Sequence, residues 1–200
     1  ASVTITEPIA LTASATVDDN VSCNAGNDGT ATASGTGGTP PYTYLWDDTD
    51  AQTTATATGL AAGTYTVTIT DDNGCTDTAS VTITEPIALT ASATVDNNVS
   101  CNGGGNGNIT IDLNGGTSPF EYVINGTTYS NFPDPTLAIS GLQAGTYPIN
   151  VTDVNVCTAT TSVTITEPVT LTASATVDTN VNCNGGENGT ATASGTGGTP

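Results

Sequence analysis

The sequence predicts an all-β protein made of tandem immunoglobulin-like antiparallel β-sandwich repeats arranged as an extended thread. Three observations predict it. The heptapeptide SVTITEP begins at Ser2, Ser80 and Ser162, at intervals of 78 and 82 residues, too long for a solenoid coil and suited to a small domain. Apolar and hydroxyl residues alternate at spacing two over nearly every segment, with no helical period. Clusters of Gly, Asn, Asp and Pro break that alternation roughly every 8 to 12 residues, the rhythm of a sandwich.

Each strand of the first repeat can be read from its alternation. LTASATV puts Leu11, Ala13, Ala15 and Val17 on one face, and GTATAS does the same with Ala31 and Ala33. PYTYLW aligns Tyr42, Tyr44 and Trp46, and TTATAT aligns Ala55 and Ala57. TYTVTIT aligns Tyr65, Val67 and Ile69, and SVTIT aligns Val81 and Ile83. Six strands or more result, with rows of Thr forming a polar outer face. Trp46 suits the buried aromatic of a third strand, and Ile124 takes its place in the second repeat. GLAAGTY and GLQAGTY place Leu60 with Tyr65, and Leu142 with Tyr147, where a tyrosine corner would close each sandwich. The longer repeat carries four extra residues within NGTTYSNFPDPTLAIS, after the third strand.

The repeats divide the chain into a last strand of a preceding unit (1–8), repeat 1 (9–86), repeat 2 (87–168) and the start of a third (169–200). GTGGTP at the end matches the interior of repeat 1, so the sequence reads as a piece of a longer protein. Pro8, Pro86 and Pro168 stand at the junctions without any Gly/Ser tract, which favours short, stiff connections.

With no Lys, Arg or His against 19 Asp plus Glu, the net charge is −19. Such a chain cannot neutralise phosphates, which excludes nucleic acid as a partner, and anionic membrane surfaces repel it. Histidine-assisted nucleophiles are equally impossible. The acidic turns leave only a carboxylate pair for catalysis, and repeat 2 lacks the set Asp47, Asp48, Asp50, Asp71 and Asp72. The reading is therefore not an enzyme. No run approaches the roughly 20 apolar residues of a membrane span.

Cores built largely from Ala, Val and Ile are thin, and disulfides are the expected remedy. Cys23 and Cys75 lie 52 residues apart, Cys101 and Cys157 lie 56 apart, and Cys183 opens a third pair. Counting six strands up and down places the Cys23 and Cys75 loops at one end. The expected bonds are therefore Cys23–Cys75 and Cys101–Cys157, each contributing roughly 4 kcal/mol in the chain-entropy model, in an oxidising compartment. No cofactor is required, but calcium is the metal that acidic turns would suit. Asp18, Asp19, Asp71 and Asp72 would meet at the cysteine end of repeat 1 as its ligands.

CNAGNDGTATASGTGGTPPYTYLW (Cys23 to Trp46), TGLAAGTYTVTITDDNGC (Thr58 to Cys75) and the SVTITEP that follows closely resemble the SprB repeat, over essentially the whole chain. That family forms long arrays in type IX secreted surface adhesins of gliding and filament-bearing Bacteroidota. The resemblance implies the stalk of a cell-surface adhesin that projects a distal adhesive region in gliding motility or attachment. Its partners would be an external surface or polysaccharide, met through regions outside this segment, and the motility or anchoring machinery of the cell. Asp77-Thr78-Ala79 resembles the O-glycosylation motif of the same bacteria, at Thr78. Two alternatives accompany this reading. The repeats could themselves bind carbohydrate through Tyr42, Trp46 and the variable loop, or chains could associate laterally into a structural filament.

Overall fold

A computed structural model describes residues 1–199. Among them every regular element is a strand, and every paired strand is antiparallel. Repeat 1 contains β1 (Thr12–Asp19), β2 (Gly29–Thr36), β3 (Thr43–Trp46), β4 (Thr56–Leu60), β5 (Gly63–Thr70) and β6 (Thr76–Ile83). They form two sheets, β1-β2-β4 and β3-β5-β6. Repeat 2 contains β7 (Thr90–Asn97), β8 (Gly107–Asn114), β9 (Phe120–Ile124), β10 (Thr127–Phe132), β11 (Thr136–Leu142), β12 (Gly145–Thr152) and β13 (Thr158–Ile165), in sheets β11-β8-β7 and β10-β9-β12-β13. Both are immunoglobulin-like sandwiches. β14 (Thr172–Thr179) and β15 (Thr190–Thr196) pair in the register of β1 and β2.

The alternation of the sequence becomes the two faces of each sheet. Ala31, Ala33, Trp46, Ala57, Leu60, Val67, Ile69, Val81 and Ile83 are buried together in repeat 1. Outer faces carry cross-strand hydroxyl pairs such as Ser14–Ser34 (2.8 Å), Thr32–Thr56 (2.8 Å) and Thr64–Thr82 (3.0 Å). The tyrosine corners form as expected: the Tyr65 hydroxyl donates to Ala61 O (3.1 Å) and that of Tyr147 to Gln143 O (3.0 Å).

The strands of repeat 1 do not simply alternate up and down, because the chain makes one more crossing between β3 and β4. In repeat 2 the added residues form β10, joined to β9 by an Asn125-Gly126 turn with both residues at positive φ. In repeat 1 the same return runs through residues 47–55. There Trp46 N–H donates to Gln52 O (2.9 Å), and the Asp48 carboxylate accepts from the Gln52 N–H (3.0 Å) and side-chain amide (2.9 Å). Seven crossings make β1 and β6 run the same way, so the chain enters at one end of the sandwich and leaves at the other. Ser2–Pro8 is exposed and forms no strand. The later copies of SVTI pair with β5 and β12.

By contact the chain forms two compact units. The first is Ala1–Leu89 with Asn114–Thr117 and Asp153–Cys157; the second holds Thr90–Leu113, Ser118–Thr152 and the residues from Thr158 on. Two turns numbered within repeat 2 thus belong to the first unit.

Candidate functional site: the two cysteine loops

Each repeat carries two cysteine loops of different kinds. The first follows the opening strand and binds the chain as it leaves the sandwich. Val21 N–H donates to Thr84 O (3.0 Å), and Asn20 Oδ1 accepts from Thr84 N–H (2.8 Å). Glu85 Oε2 accepts from Ala25 N–H (2.6 Å), and the Asn24 amide donates to Pro86 O (3.1 Å). Asn98, Val99, Asn102 and Gly103 make the same bonds to Thr166, Glu167 and Pro168. The recurrence of SVTITEP therefore has a local cause. SVTI is the last strand, and TEP is the ligand of the first cysteine loop. The signal was present in the sequence, since Asn24 precedes Pro86 by 62 residues and Asn102 precedes Pro168 by 66.

The second loop lies at the entry end and is organised by one buried aspartate. Asp71 accepts from Thr39 N–H (2.9 Å), Asn73 N–H (3.0 Å) and Cys75 N–H (2.8 Å). The Thr39 bond is the main reason that its carboxyl is held below the ordinary value of 3.8, with burial opposing. Asp153 repeats the arrangement with Thr117 (2.8 Å), Asn155 (2.9 Å) and Cys157 (2.9 Å). Gly38 N–H donates to Ile9 O (2.7 Å), fastening the incoming chain. Gly37 stands at φ +74 where a Cβ would lie 2.1 Å from Ala10 O, so this turn demands glycine.

The expected Cys23–Cys75 and Cys101–Cys157 bonds are not the ones formed. The extra crossing places Cys23 and Cys75 at opposite ends of their sandwich. Instead Cys23 is bonded to Cys157, 134 residues away, with Cα atoms 5.6 Å apart. Cys75, Cys101 and Cys183 are free and exposed. Around the bond, Ser22 O lies 3.4 Å from the Asn155 amide that donates to it and 3.5 Å from Cys157 Sγ. All these residues lie in the first compact unit.

The four aspartates expected to bind calcium are not brought together. Asp18 and Asp19 sit at the far end of β1, accepting from Thr32 Oγ1 (2.6 Å) and Thr30 Oγ1 (3.2 Å), while Asp71 and Asp72 lie at the entry end. Among the described residues no three of His, Cys, Asp or Glu gather as a metal site. Trp46 is 1% exposed, and its indole N–H donates to Thr54 O (3.1 Å). Tyr42 is half-buried and donates to Gly37 O (2.6 Å). Trp46 therefore offers no ring for a sugar to stack on. Thr78 is exposed on β6, but Asp77 of its motif accepts from Ala13 N–H (2.7 Å), which holds its carboxyl below the usual value. No helix of the described residues is long and apolar enough to cross a membrane.

The family model for the SprB repeat matches residues 15–51 and 93–128. Each match falls within one of the two complete repeats. Each matched stretch includes a first cysteine loop and the Gly-Gly turn of the entry end. A search of curated proteins returned no match. Among solved structures, the chain is similar to a tetra-tandem repeat in the extending region of a large adhesion protein, at 18% identity and a TM-score of 0.32 over 94% of this chain and 56% of that one. It is also similar to the fibronectin(III)-like modules of Clostridium thermocellum CbhA (17%, TM-score 0.30, 76% of this chain and 94% of that one). A third is the mouse nectin-like molecule 4 ectodomain (12%, TM-score 0.35, 76% and 62%). This chain thus spans little more than half the length of the first.

Proposed function

We propose that this segment is the non-catalytic stalk of a secreted surface adhesin or filament. Its SprB repeats space a distal adhesive region from the cell, in gliding motility or surface attachment, after type IX secretion. The observation that carries this reading is the repetition of one clasp. In both complete repeats the exit loop grips the TEP segment and the aspartate-capped loop fastens the entering chain, so each sandwich fixes chain at both ends. The charge of −19 without one Lys, Arg or His supports a solvated, mutually repelling array, and the disulfide supports an oxidising site outside the cytoplasm. Small-angle scattering of fragments with two, three and four repeats tests it. A maximum dimension growing by about 35 to 45 Å per repeat is expected from strands of seven or eight residues plus turns. Compact particles, or growth of the cross-section instead of the length, would overturn it.

A further inference from the structure

The two loop types differ in which end of the sandwich they occupy, and the one bond formed joins an exit loop to an entry loop. Cys23 belongs to the first repeat's exit loop and Cys157 to the second repeat's entry loop. The same relation can be written for every cysteine. The loops of Cys23, Cys101 and Cys183 share one fold, with Gly26, Gly104 and Gly186 N–H each donating to the cysteine carbonyl at 2.9 Å. Cys75 and Cys157 likewise hang from Asp71 and Asp153 in the same three-bond cap. Within the 200 residues only Cys23 and Cys157 stand as the first cysteine of one repeat and the second of the next. That is the pair that is bonded, and the other three cysteines are the free ones.

We propose that the cysteines of the array form a ladder in which the first cysteine of each repeat is bonded to the second cysteine of the repeat that follows. Cys75 then takes the exit-loop cysteine of a preceding repeat, and Cys101 and Cys183 take entry-loop cysteines of following ones. This rests on the tandem-array reading above. The surroundings of Cys75 suit such an occupant. A cleft of about 450 Å³ lies beside it, bordered by Glu7, Pro8, Ile9 and Asp71. The Asn73 amide stands in the place of Asn155, donating to Thr39 Oγ1 (2.8 Å) as Asn155 does to Thr117 Oγ1 (3.3 Å). In the bonded case that amide also takes Ser22 O of the partner loop. Each rung forms by exchange with a disulfide donor of the thiol–disulfide oxidoreductase class. One cysteine thiolate attacks the donor disulfide to give a mixed disulfide, and the second thiolate displaces the donor sulfur. Two protein thiols are thereby oxidised, and the donor is reduced to two thiols.

The test lengthens the chain by appending its own residues 41–86 after Pro200, completing a third repeat, and refolds it in a glutathione disulfide buffer before alkylation and peptide mapping. Expected bonds are Cys23–Cys157 and Cys101 to the appended copy of Cys75, with Cys75 and Cys183 alkylated. A bond from the appended cysteine to Cys183, within its own repeat, would overturn the ladder. Should the longer chain fail to fold, the 200-residue chain decides: one Cys23–Cys157 bond with three alkylated thiols supports the ladder, whereas Cys23–Cys75, Cys101–Cys157 or no bond contradicts it. Scattering fragments that stay elongated while the mapping fails would sink the ladder and leave the spacer standing.

Discussion

Repeats 1 and 2 are the same at their ends and different in their middles. In repeat 1, Trp46 is buried with Ala31, Ala33 and Ala57. In repeat 2, Ile124 holds the position of Trp46, opposite Ile149 as Trp46 is opposite Val67, and the alanine positions are Ile109, Ile111 and Ile139. At these positions one sandwich sets a large aromatic among small residues and the other sets branched residues of middling size, while repeat 2 buries its aromatics two and four residues earlier, at Tyr122 and Phe120. Repeat 2 also adds β10, where Phe132 meets Tyr122 edge to face at 5.9 Å, and burial raises the Tyr122 hydroxyl above its ordinary pKa of 10.0. The two loop clasps do not change. The middle accepts exchanges that roughly conserve volume, whereas the ends must each fit a neighbouring stretch of chain.

The largest effect that would sharpen this contrast is in the core. Trp46→Ala should cost about 3 to 5 kcal/mol, read from urea melting. Trp46→Ile should cost less, and adding Ala33→Ile should recover part of the loss. Equal costs for the double and single variants would show that the two cores are not volume alternatives.

Next come the entry-loop caps. Asp71→Ala leaves three N–H groups without their acceptor, and Asp153→Ala does the same, so each should lower the thermal midpoint of its own sandwich by several degrees. The Asp71 carboxyl is held below 3.8 in the folded state. Its stabilisation is therefore full above that value and lost as pH falls through the lower folded value. Asp71→Asn should show a weaker acid-induced drop than the native chain. An identical drop in the two would contradict the cap.

Smaller and equal effects are expected at the tyrosine corners, where Tyr65→Phe and Tyr147→Phe should each cost about 1 kcal/mol. The smallest difference lies in the exit loops. Ala25 and Gly103 both have positive φ, 59 and 73. Ala25→Gly should be neutral or slightly stabilising, while Gly103→Ala should destabilise by about 1 kcal/mol. A destabilising Ala25→Gly or a stabilising Gly103→Ala would break the equivalence of the loops.

Most of the sandwich was legible because alternation at spacing two fixes which side chains face inward, and Val67, Ile69, Val81 and Ile83 are buried as read. The tyrosine corners were legible for the same reason of fixed spacing. The return through residues 47–55 was not. It is held by Asp48 and Gln52 side chains rather than by alternation, and missing it reversed one loop and mispaired Cys23, Cys75, Cys101 and Cys157. The aspartates misled because a turn carboxylate that caps N–H groups has the same composition as one that binds calcium.

Stretching single molecules of the 200-residue chain from its termini tests the account most directly. Bonded Cys23–Cys157 removes its 134 residues from the extensible length. Unfolding without reductant should then release only about 66 residues, roughly 230 Å at the extended reach per residue, against roughly 700 Å with reductant. A release near 320 Å without reductant, about 92 residues, would mean that each repeat closes its own disulfide and that no bond crosses the junction.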